Sequence, residues 1–227
     1  MKKGHLIIID SGSDGSGKAT QTKVLVDRLI SEGYPVKQIT FPNYDSPACE
    51  PVKMYLNGEF GTEANSVNAY AASTFYAIDR FASFKKDWET AYQSGMIIIS
   101  DRYTTSNMIH QGIKMETNER ESYLDWLEEL EFKHFGLPKP DLTFFLDVSP
   151  QTTQQLRQGR LNKMNGSETQ DIHESDEEYL AKCYHNGVAL AQRQDWIRVQ
   201  CDHEEGMRSI ESIHEEIYQT VINYLKK

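Results

Sequence analysis

The residues best suited to chemistry follow the first apolar run of the chain. Residues 6–9 are Leu-Ile-Ile-Ile, and residues 12–20 then carry the spacing Gly-x4-Gly-Lys, ahead of a segment with helical periodicity. Glycines let backbone N–H groups approach an anion closely, and a helix N-terminus offers unpaired N–H groups to the same anion. Lys18 adds a mobile cation, which a simple turn would not need. The stretch therefore predicts a nucleotide-phosphate site, with contacts from Gly12, Asp14, Gly15, Ser16, Gly17, Lys18, Ala19 and Thr20.

The loop departs from the common pattern at the residue after its lysine. That position usually carries a hydroxyl that binds magnesium, but here it is Ala19. Thr20 follows, yet a shift of one residue on a helix turns a side chain through about 100°. Thr20 therefore does not replace the missing hydroxyl. The sequence therefore indicates that a magnesium ion would be bound by the phosphates, by water and by Asp101.

Length and charge limit the kind of protein this can be. A chain of 227 residues can bury one substantial core, so we expect a single domain over residues 1–227. Its 34 acidic and 24 basic residues give a formal charge of −10, which argues against a protein that coats DNA or RNA. A nucleotide substrate remains possible, because a few arginines in a cleft can bind phosphates on a negative protein.

The chain also lacks the marks of a secreted or membrane protein. Its longest apolar runs, such as residues 6–9 and 96–99, are too short to span a membrane. The first residues lead directly into a predicted strand, which leaves no room for a signal peptide. Its cysteines, Cys49, Cys183 and Cys201, are widely spaced and lack metal-ligand pairing. We therefore expect a reduced cytoplasmic protein without a disulfide.

Strands alternate with helices along the whole chain and no repeat is visible. This pattern predicts a three-layer α/β domain with a five-stranded parallel sheet flanked by helices. The predicted strands are residues 6–9, 36–41, 96–100, 142–147 and 196–199. Ligands bind beyond the carboxyl ends of such strands. The glycine loop, Phe41-Pro42, Asp101-Arg102 and the segment after Asp147 should therefore meet in one cleft.

These parts suit phosphoryl transfer, which needs two aligned phosphates and neutralised charge more than covalent chemistry. Lys18 would hold the donor phosphates, Asp101 would hold magnesium directly or through water, and Arg102 would clamp an acceptor phosphate. Arg157 and Arg160 lie in or beside a polar segment typical of a mobile loop, and either could act as an arginine finger in cis. The competing interpretations are a structural ion pair between Arg102 and Asp101, and a solvated helix face for the other two arginines.

With these residues in place, the sequence resembles the thymidylate kinases, which make dTDP from dTMP and ATP. The segments that carry the resemblance occur in the family's order: the loop at residues 12–21, Phe41-Pro42, the aromatic Asp-Arg helix at 75–80, the Asp-Arg-Tyr block at 101–112 and the arginine-bearing segment at 157–174. The resemblance implies a P-loop kinase fold, ATP with Mg²⁺, and a homodimer. It also implies the bacterial type, in which the catalytic arginine belongs to a mobile LID at about residues 157–175.

The resemblance also implies roles for individual residues. Asp14 would bond the deoxyribose 3′-hydroxyl, Tyr76 would stack on thymine, and Arg102 would hold the dTMP phosphate. Arg80 and Asn107 would read the polar edge of the base, which favours thymine or uracil over cytosine. The implied dTMP contacts are Asp14, Phe41, Pro42, Tyr76, Arg80, Arg102, Asn107 and Gln111.

Three departures from the family pattern keep other functions open. Ser11 replaces an acidic residue, Asn43 replaces an arginine after Phe-Pro, and His110 replaces an aromatic residue near the sugar. The alternatives are a kinase of another deoxynucleoside or deoxynucleoside monophosphate, a P-loop nucleotide-binding switch, and a binding protein without catalysis. The switch is disfavoured because the sequence contains no guanine-reading Asn-Lys-x-Asp.

Overall fold

A five-stranded parallel sheet forms the centre of the molecule. The structure, a computed structural model, describes residues 3–63, 65–157, 177–203 and 206–226. The strands are β1 (His5–Ser11), β2 (Val36–Thr40), β3 (Ile97–Asp101), β4 (Leu142–Asp147) and β5 (Ile197–Gln200). They pair in the order β2-β3-β1-β4-β5, and every pair is parallel. The predicted sheet is confirmed, with β1 in the middle.

Helices connect these strands and cover both faces of the sheet. They are α1 (Lys18–Ser31), α2 (Glu50–Leu56), α3 (Ala69–Ser83), α4 (Glu89–Gln93), α5 (Thr104–His110), α6 (Arg120–Glu128), α7 (Pro150–Arg157), α8 (Glu177–Arg193) and α9 (Ile210–Leu225). Turns of wider π-helical geometry follow α3 at Phe84–Trp88 and α6 at Glu129–His134. The described helices include none that is both long and apolar enough to cross a membrane.

One small element was not predicted from the sequence. Beyond β5, Asp202–His203 (β6) and Gly206–Met207 (β7) form an antiparallel pair. Strands of two residues are too short to show an alternating pattern, so no periodic signal marks them in the sequence.

The core explains why the central strand is apolar along its length. Ile7 and Ile9 pack into the cluster that includes α1 and α9 residues, whereas Leu6 and Ile8 pack on the opposite face with Trp88. Parallel strands covered on both faces take continuous apolar runs rather than alternating ones. Burying β1 in this way fixes the position of the glycine loop that follows it.

The strand register brings the carboxyl ends of the central strands to one edge. Ile9 of β1 is paired with Asp101 at the end of β3 and with Phe144 of β4. The loop after β1 and the residues after β3 therefore leave the sheet side by side. On the face of the sheet beneath α8, Gly187 permits close packing, because an added Cβ would lie 2.5 Å from Phe145 Cε2.

Candidate active site

The glycine loop connects β1 directly to α1, in the predicted strand-loop-helix order. Gly15 and Gly17 have φ angles of 90° and 87°, a left-handed conformation that costs glycine little. Gly17 is the residue before α1, and the first turn of that helix contains no acidic residue. The free N–H groups and the positive end of the helix dipole are therefore available to an anion.

Lys18 is buried at the start of α1, and the oxygen atoms nearest to its Nζ are neutral. Its Nζ lies 2.8 Å from Ser11 Oγ, 2.8 Å from the Ser13 carbonyl oxygen and 3.4 Å from Ser16 Oγ. Burial lowers the pKa of Lys18 to about 8, helped by Arg102, although three nearby aspartates act in the opposite direction. A phosphate group would reverse the effect of burial, because it supplies the negative charge that the serine oxygens lack.

Arg102 begins the segment after β3 and faces the glycine loop. Its φ of 67° is uncommon for a residue with a side chain, and its amide donates to the Ile9 carbonyl at 3.0 Å. Its Nη2 lies 2.8 Å from Asp14 Oδ1, and its Nη1 lies 3.7 Å from Asp10 Oδ1. Burial disfavours the charge, but these carboxylates outweigh burial and raise the pKa of Arg102. The guanidinium therefore stays charged.

Asp10 is a site residue that the sequence analysis missed. It is fully buried at the end of β1 and accepts hydrogen bonds from Thr105 Oγ1 at 2.6 Å and Ser106 Oγ at 2.7 Å. Asp10 thereby fixes the first turn of α5 against β1, directly behind Arg102. The one feature that marks Asp10 in the sequence is its position, since it is an ionisable residue directly after the apolar run of residues 6–9.

A cleft of about 1030 Å³, including its open mouth, lies between these elements. Part of its wall is apolar and part polar. It is lined by Asp14, Thr40, Phe41, Pro42, Tyr44, Leu56, Tyr76, Asp101, Arg102, Ser106, Asn107, His110, Gln111 and Leu180. Of the four segments expected to meet in one cleft, the glycine loop, Phe41-Pro42 and Asp101-Arg102 contribute to this lining, whereas no residue of 148–157 does. Flat aromatic surfaces beside a fixed cation suit a ligand with both a ring and an anionic group.

Two buried amide side chains lie on the polar wall. Asn107 donates from Nδ2 to the Ser73 carbonyl at 3.2 Å. Gln111 is 1% exposed, and within the described part of the chain its Oε1 has no hydrogen-bond partner. A buried acceptor without a partner is costly in the absence of ligand. Gln111 can therefore accept a hydrogen bond from a ligand in the cleft.

Comparison with known proteins identifies the family. The family model for thymidylate kinase matches residues 11–217. The chain belongs to the thymidylate kinase family. Enzymes of this family transfer a phosphoryl group from ATP to dTMP, and the function that the sequence predicted is thereby confirmed.

Individual relatives agree with this membership. The chain is 32% identical to the thymidylate kinase of Mycobacterium tuberculosis (strain H37Rv) over 174 residues, which cover 76% of this chain and 79% of that one. It is 27% identical to the human thymidylate kinase, over 95% of this chain and 89% of the human protein. A solved structure of thymidylate kinase from Candida albicans has the same fold, with a TM-score of 0.72 at 22% identity, covering 98% of this chain and 92% of that one.

The structure places Arg80 differently from the expectation that it contacts the thymine base. Arg80 is 1% exposed and does not line the cleft of this thymidylate kinase. Its Nε and Nη2 each donate to Glu131 at 2.6 Å, and its Nη1 lies 3.4 Å from the Tyr103 carbonyl. Thr104 Oγ1 also donates to Glu131, at 2.8 Å. The guanidinium supports the wall of the cleft from behind.

Glu131 could not be identified from the sequence because nothing there distinguishes it from the neighbouring Glu128 and Glu129. The π-helical turn Glu129–His134 changes which side chains face inward, and Glu131 is fully buried there. A buried glutamate needs such a partner, since a lone charge at that position would be very costly.

The other predicted site residues lie partly in the cleft and partly outside the described residues. Tyr76 and Phe41 line the apolar wall, and Asp101 lies at the end of β3 with 4% exposure. Helix α7 ends at Arg157, whereas Arg160 and nearly all of the predicted LID fall outside the described residues. The bacterial type therefore stays a prediction, because the relatives include human and archaeal enzymes.

The ion pair between Arg80 and Glu131 can be tested by removing one partner. Glu131→Ala leaves a buried arginine without its counter-ion, so the free energy of unfolding should fall by about 3–5 kcal/mol. The double variant Arg80→Met, Glu131→Leu should recover most of this loss in urea unfolding. A stable Glu131→Ala protein with a raised KM for dTMP would instead favour direct contact between Arg80 and the base.

The low pKa of Lys18 predicts proton uptake when ATP binds. At pH 8 about half of the ligand-free molecules carry a neutral Lys18, and the phosphates should restore its charge. Binding should therefore take up about half a proton per site, measured by titration calorimetry in buffers of different ionisation enthalpy, and less as the pH falls. Lys18→Arg stays charged and should show no uptake. Equal uptake by this variant would exclude Lys18 as the source.

Proposed function

We propose that this thymidylate kinase holds the ATP phosphates on the glycine loop and the dTMP phosphate on Arg102, and transfers the γ-phosphoryl group between them. One observation carries the proposal. Asp14 Oδ1 lies 3.6 Å from Lys18 Nζ and 2.8 Å from Arg102 Nη2. The two cations that would bind donor and acceptor are therefore adjacent, as transfer between aligned phosphates requires.

The donor side rests on the loop and the start of α1. The phosphates of ATP would accept hydrogen bonds from the backbone between Gly12 and Thr20 and would attract Lys18 from its serine oxygens. Ser11 suits this role, because its hydroxyl accepts from Lys18 without adding a negative charge beside the phosphates.

The residues present fit a magnesium ion that is bound mainly by substrate. Mg²⁺ commonly takes one or two carboxylates together with phosphates and water, and the described residues contain no cluster of three or more potential ligands. Asp101, at the cleft end of β3, would be the protein ligand, because Ala19 has no hydroxyl to offer. When bound, Mg²⁺ neutralises charge on the phosphate oxygens.

The acceptor side combines an aromatic wall with the buried Gln111 amide. Tyr76 and Phe41 would contact the thymine ring, and Gln111 Oε1 would accept its N3–H. Cytosine has no hydrogen at N3, so it would leave Gln111 unsatisfied and be rejected. Asn107 lies beside the same edge, and Asp14 would accept the 3′-hydroxyl. These roles require no direct contact from Arg80.

The proposals for the catalytic arginine and for the oligomeric state are supported by other features of the chain. We assign the arginine finger to Arg157 or Arg160 from the sequence, on the polar segment beside them and on the family resemblance. A homodimer is supported by Ile78 and Phe81, which are 40% and 39% exposed on α3, with Phe135 against Phe81 at a ring distance of 5.3 Å. The cysteines of the described residues are buried and form no disulfide, which supports the proposed cytoplasmic location.

Arg102 should act on the acceptor alone. Arg102→Ala removes charge-assisted hydrogen bonds of about 1.5–3 kcal/mol each, so two such bonds predict a KM for dTMP raised about 100-fold or more. The KM for ATP should change little.

Steady-state rates with ATP, magnesium and dTMP, dUMP or dCMP should rank dTMP first and dCMP last.

The exposed Arg193 of α8 provides a matched control, since Arg193→Ala removes the same charge away from the cleft. Equal losses for both substrates in Arg102→Ala would contradict the assignment of Arg102. Rapid ADP formation by the wild type without any acceptor would instead favour a nucleotide-hydrolysing switch.

A further inference from the structure

His110, at the end of α5, contacts Arg102 through one ring nitrogen and α8 through the other. Nε2 lies 3.2 Å from Arg102 Nη1, and Nδ1 lies 3.2 Å from Cys183 Sγ. Arginine can only donate hydrogen bonds, so Nε2 must be the accepting nitrogen. In a neutral imidazole the proton then lies on Nδ1, and it points to the sulfur. The two neighbours together select one tautomer.

Helix α8 fixes the end of α5 as well as the imidazole ring. Tyr179 Oη donates to the His110 carbonyl at 2.8 Å. Asn186 Nδ2 lies 3.0 Å from the Met108 carbonyl and 2.8 Å from that of Ile109. Carbonyls at a helix C-terminus have no partner within their own helix. Side chains of α8 supply those partners.

The contacting residues of α8 form one stripe. Tyr179, Cys183 and Asn186 are spaced by four and three residues, so they share a face of the helix, and each is at least nine-tenths buried. Gly187 next to this stripe lets α8 approach the sheet. A buried stripe of polar groups that all reach α5 is more specific than ordinary apolar packing.

We propose that His110 is a positioning residue for Arg102 and that Cys183 sets its tautomer. This inference rests on the proposed function of Arg102 as the acceptor-phosphate clamp. His110 and Ser106 hold Nη1 at 3.2 Å each. The guanidinium plane is thereby fixed with Nη2 directed toward Asp14, on the side where the dTMP phosphate would meet the donor. Loss of the Nε2 acceptor would let the guanidinium turn toward Asp10.

Kinetics of paired variants test the chain of contacts. His110→Phe keeps a flat ring without nitrogens and should raise the KM for dTMP about tenfold, with the KM for ATP unchanged. Cys183→Ala should raise the KM for dTMP several-fold, whereas Cys183→Ser keeps an acceptor for Nδ1–H and should stay near the wild-type value. Equal changes in both KM values, or equal behaviour of the two Cys183 variants, would overturn the inference.

Matched variants separate positioning from packing. Cys201 is a fully buried cysteine just after β5, and its thiol donates to the Val199 carbonyl, so Cys201→Ala should leave the KM for dTMP unchanged. His185 is an exposed histidine of α8, and His185→Phe should likewise have no effect. If Cys201→Ala raised the KM for dTMP as much as Cys183→Ala does, the effect would come from lost packing.

A spectroscopic measurement on the wild type does not depend on any variant folding. Long-range ¹H–¹⁵N spectra should show His110 as the Nδ1–H tautomer, and Cys183→Ala should reduce its population. An Nε2–H tautomer in the wild type would overturn the inference. The Arg102→Ala variant separates the proposed function from this inference. If Arg102→Ala does not selectively weaken the binding of dTMP, the proposed function of Arg102 is wrong. If Arg102→Ala does so but His110→Phe does not, only the inference about His110 is wrong.

Discussion

The site depends on keeping two cations, the buried Lys18 and the partly buried Arg102, next to each other. Lys18 and Arg102 repel, and the charge of Arg102 adds to burial in lowering the pKa of Lys18. Asp14 offsets this repulsion because its carboxylate lies between them, at 3.6 Å from Lys18 and 2.8 Å from Arg102. Asp10 adds a second carboxylate behind Arg102. Two phosphates also repel, so in the proposed function a pair of cations held in this way would bring donor and acceptor together.

The sheet makes this arrangement possible through its strand order. Because β1 pairs with β3, the loop that carries Lys18 and the residue that carries the guanidinium emerge side by side. The left-handed backbone of Arg102 turns the chain at once after β3. The chain tolerates this uncommon conformation because the surrounding hydrogen bonds hold it, as is common at functional sites. The strands, the loop and the helices together thus hold Lys18 and Arg102 close to each other.

Most of the fold and the centre of the site could be predicted from the sequence. Apolar runs, glycine spacing and the Asp101-Arg102 pair are local patterns, and parallel topology then brings their strand ends together. Partners across the fold could not be predicted in this way. Arg80 and Glu131 are separated by 51 positions, and His110 and Cys183 by 73. No periodicity marks such pairs, and the π-helical turn that buries Glu131 has no simple sequence signal. Resemblance to the family therefore suggested a base contact for Arg80 that its buried ion pair does not support.

A crystal structure with dTMP and a non-hydrolysable ATP analogue would show directly whether the two cations bind different nucleotides. We expect the guanidinium of Arg102 to contact the dTMP phosphate and Lys18 Nζ to contact the terminal phosphates of the donor, with the two phosphate groups facing each other beyond β1 and β3. A structure in which dTMP binds away from Arg102, or in which Lys18 and Arg102 bind phosphates of the same nucleotide, would contradict it.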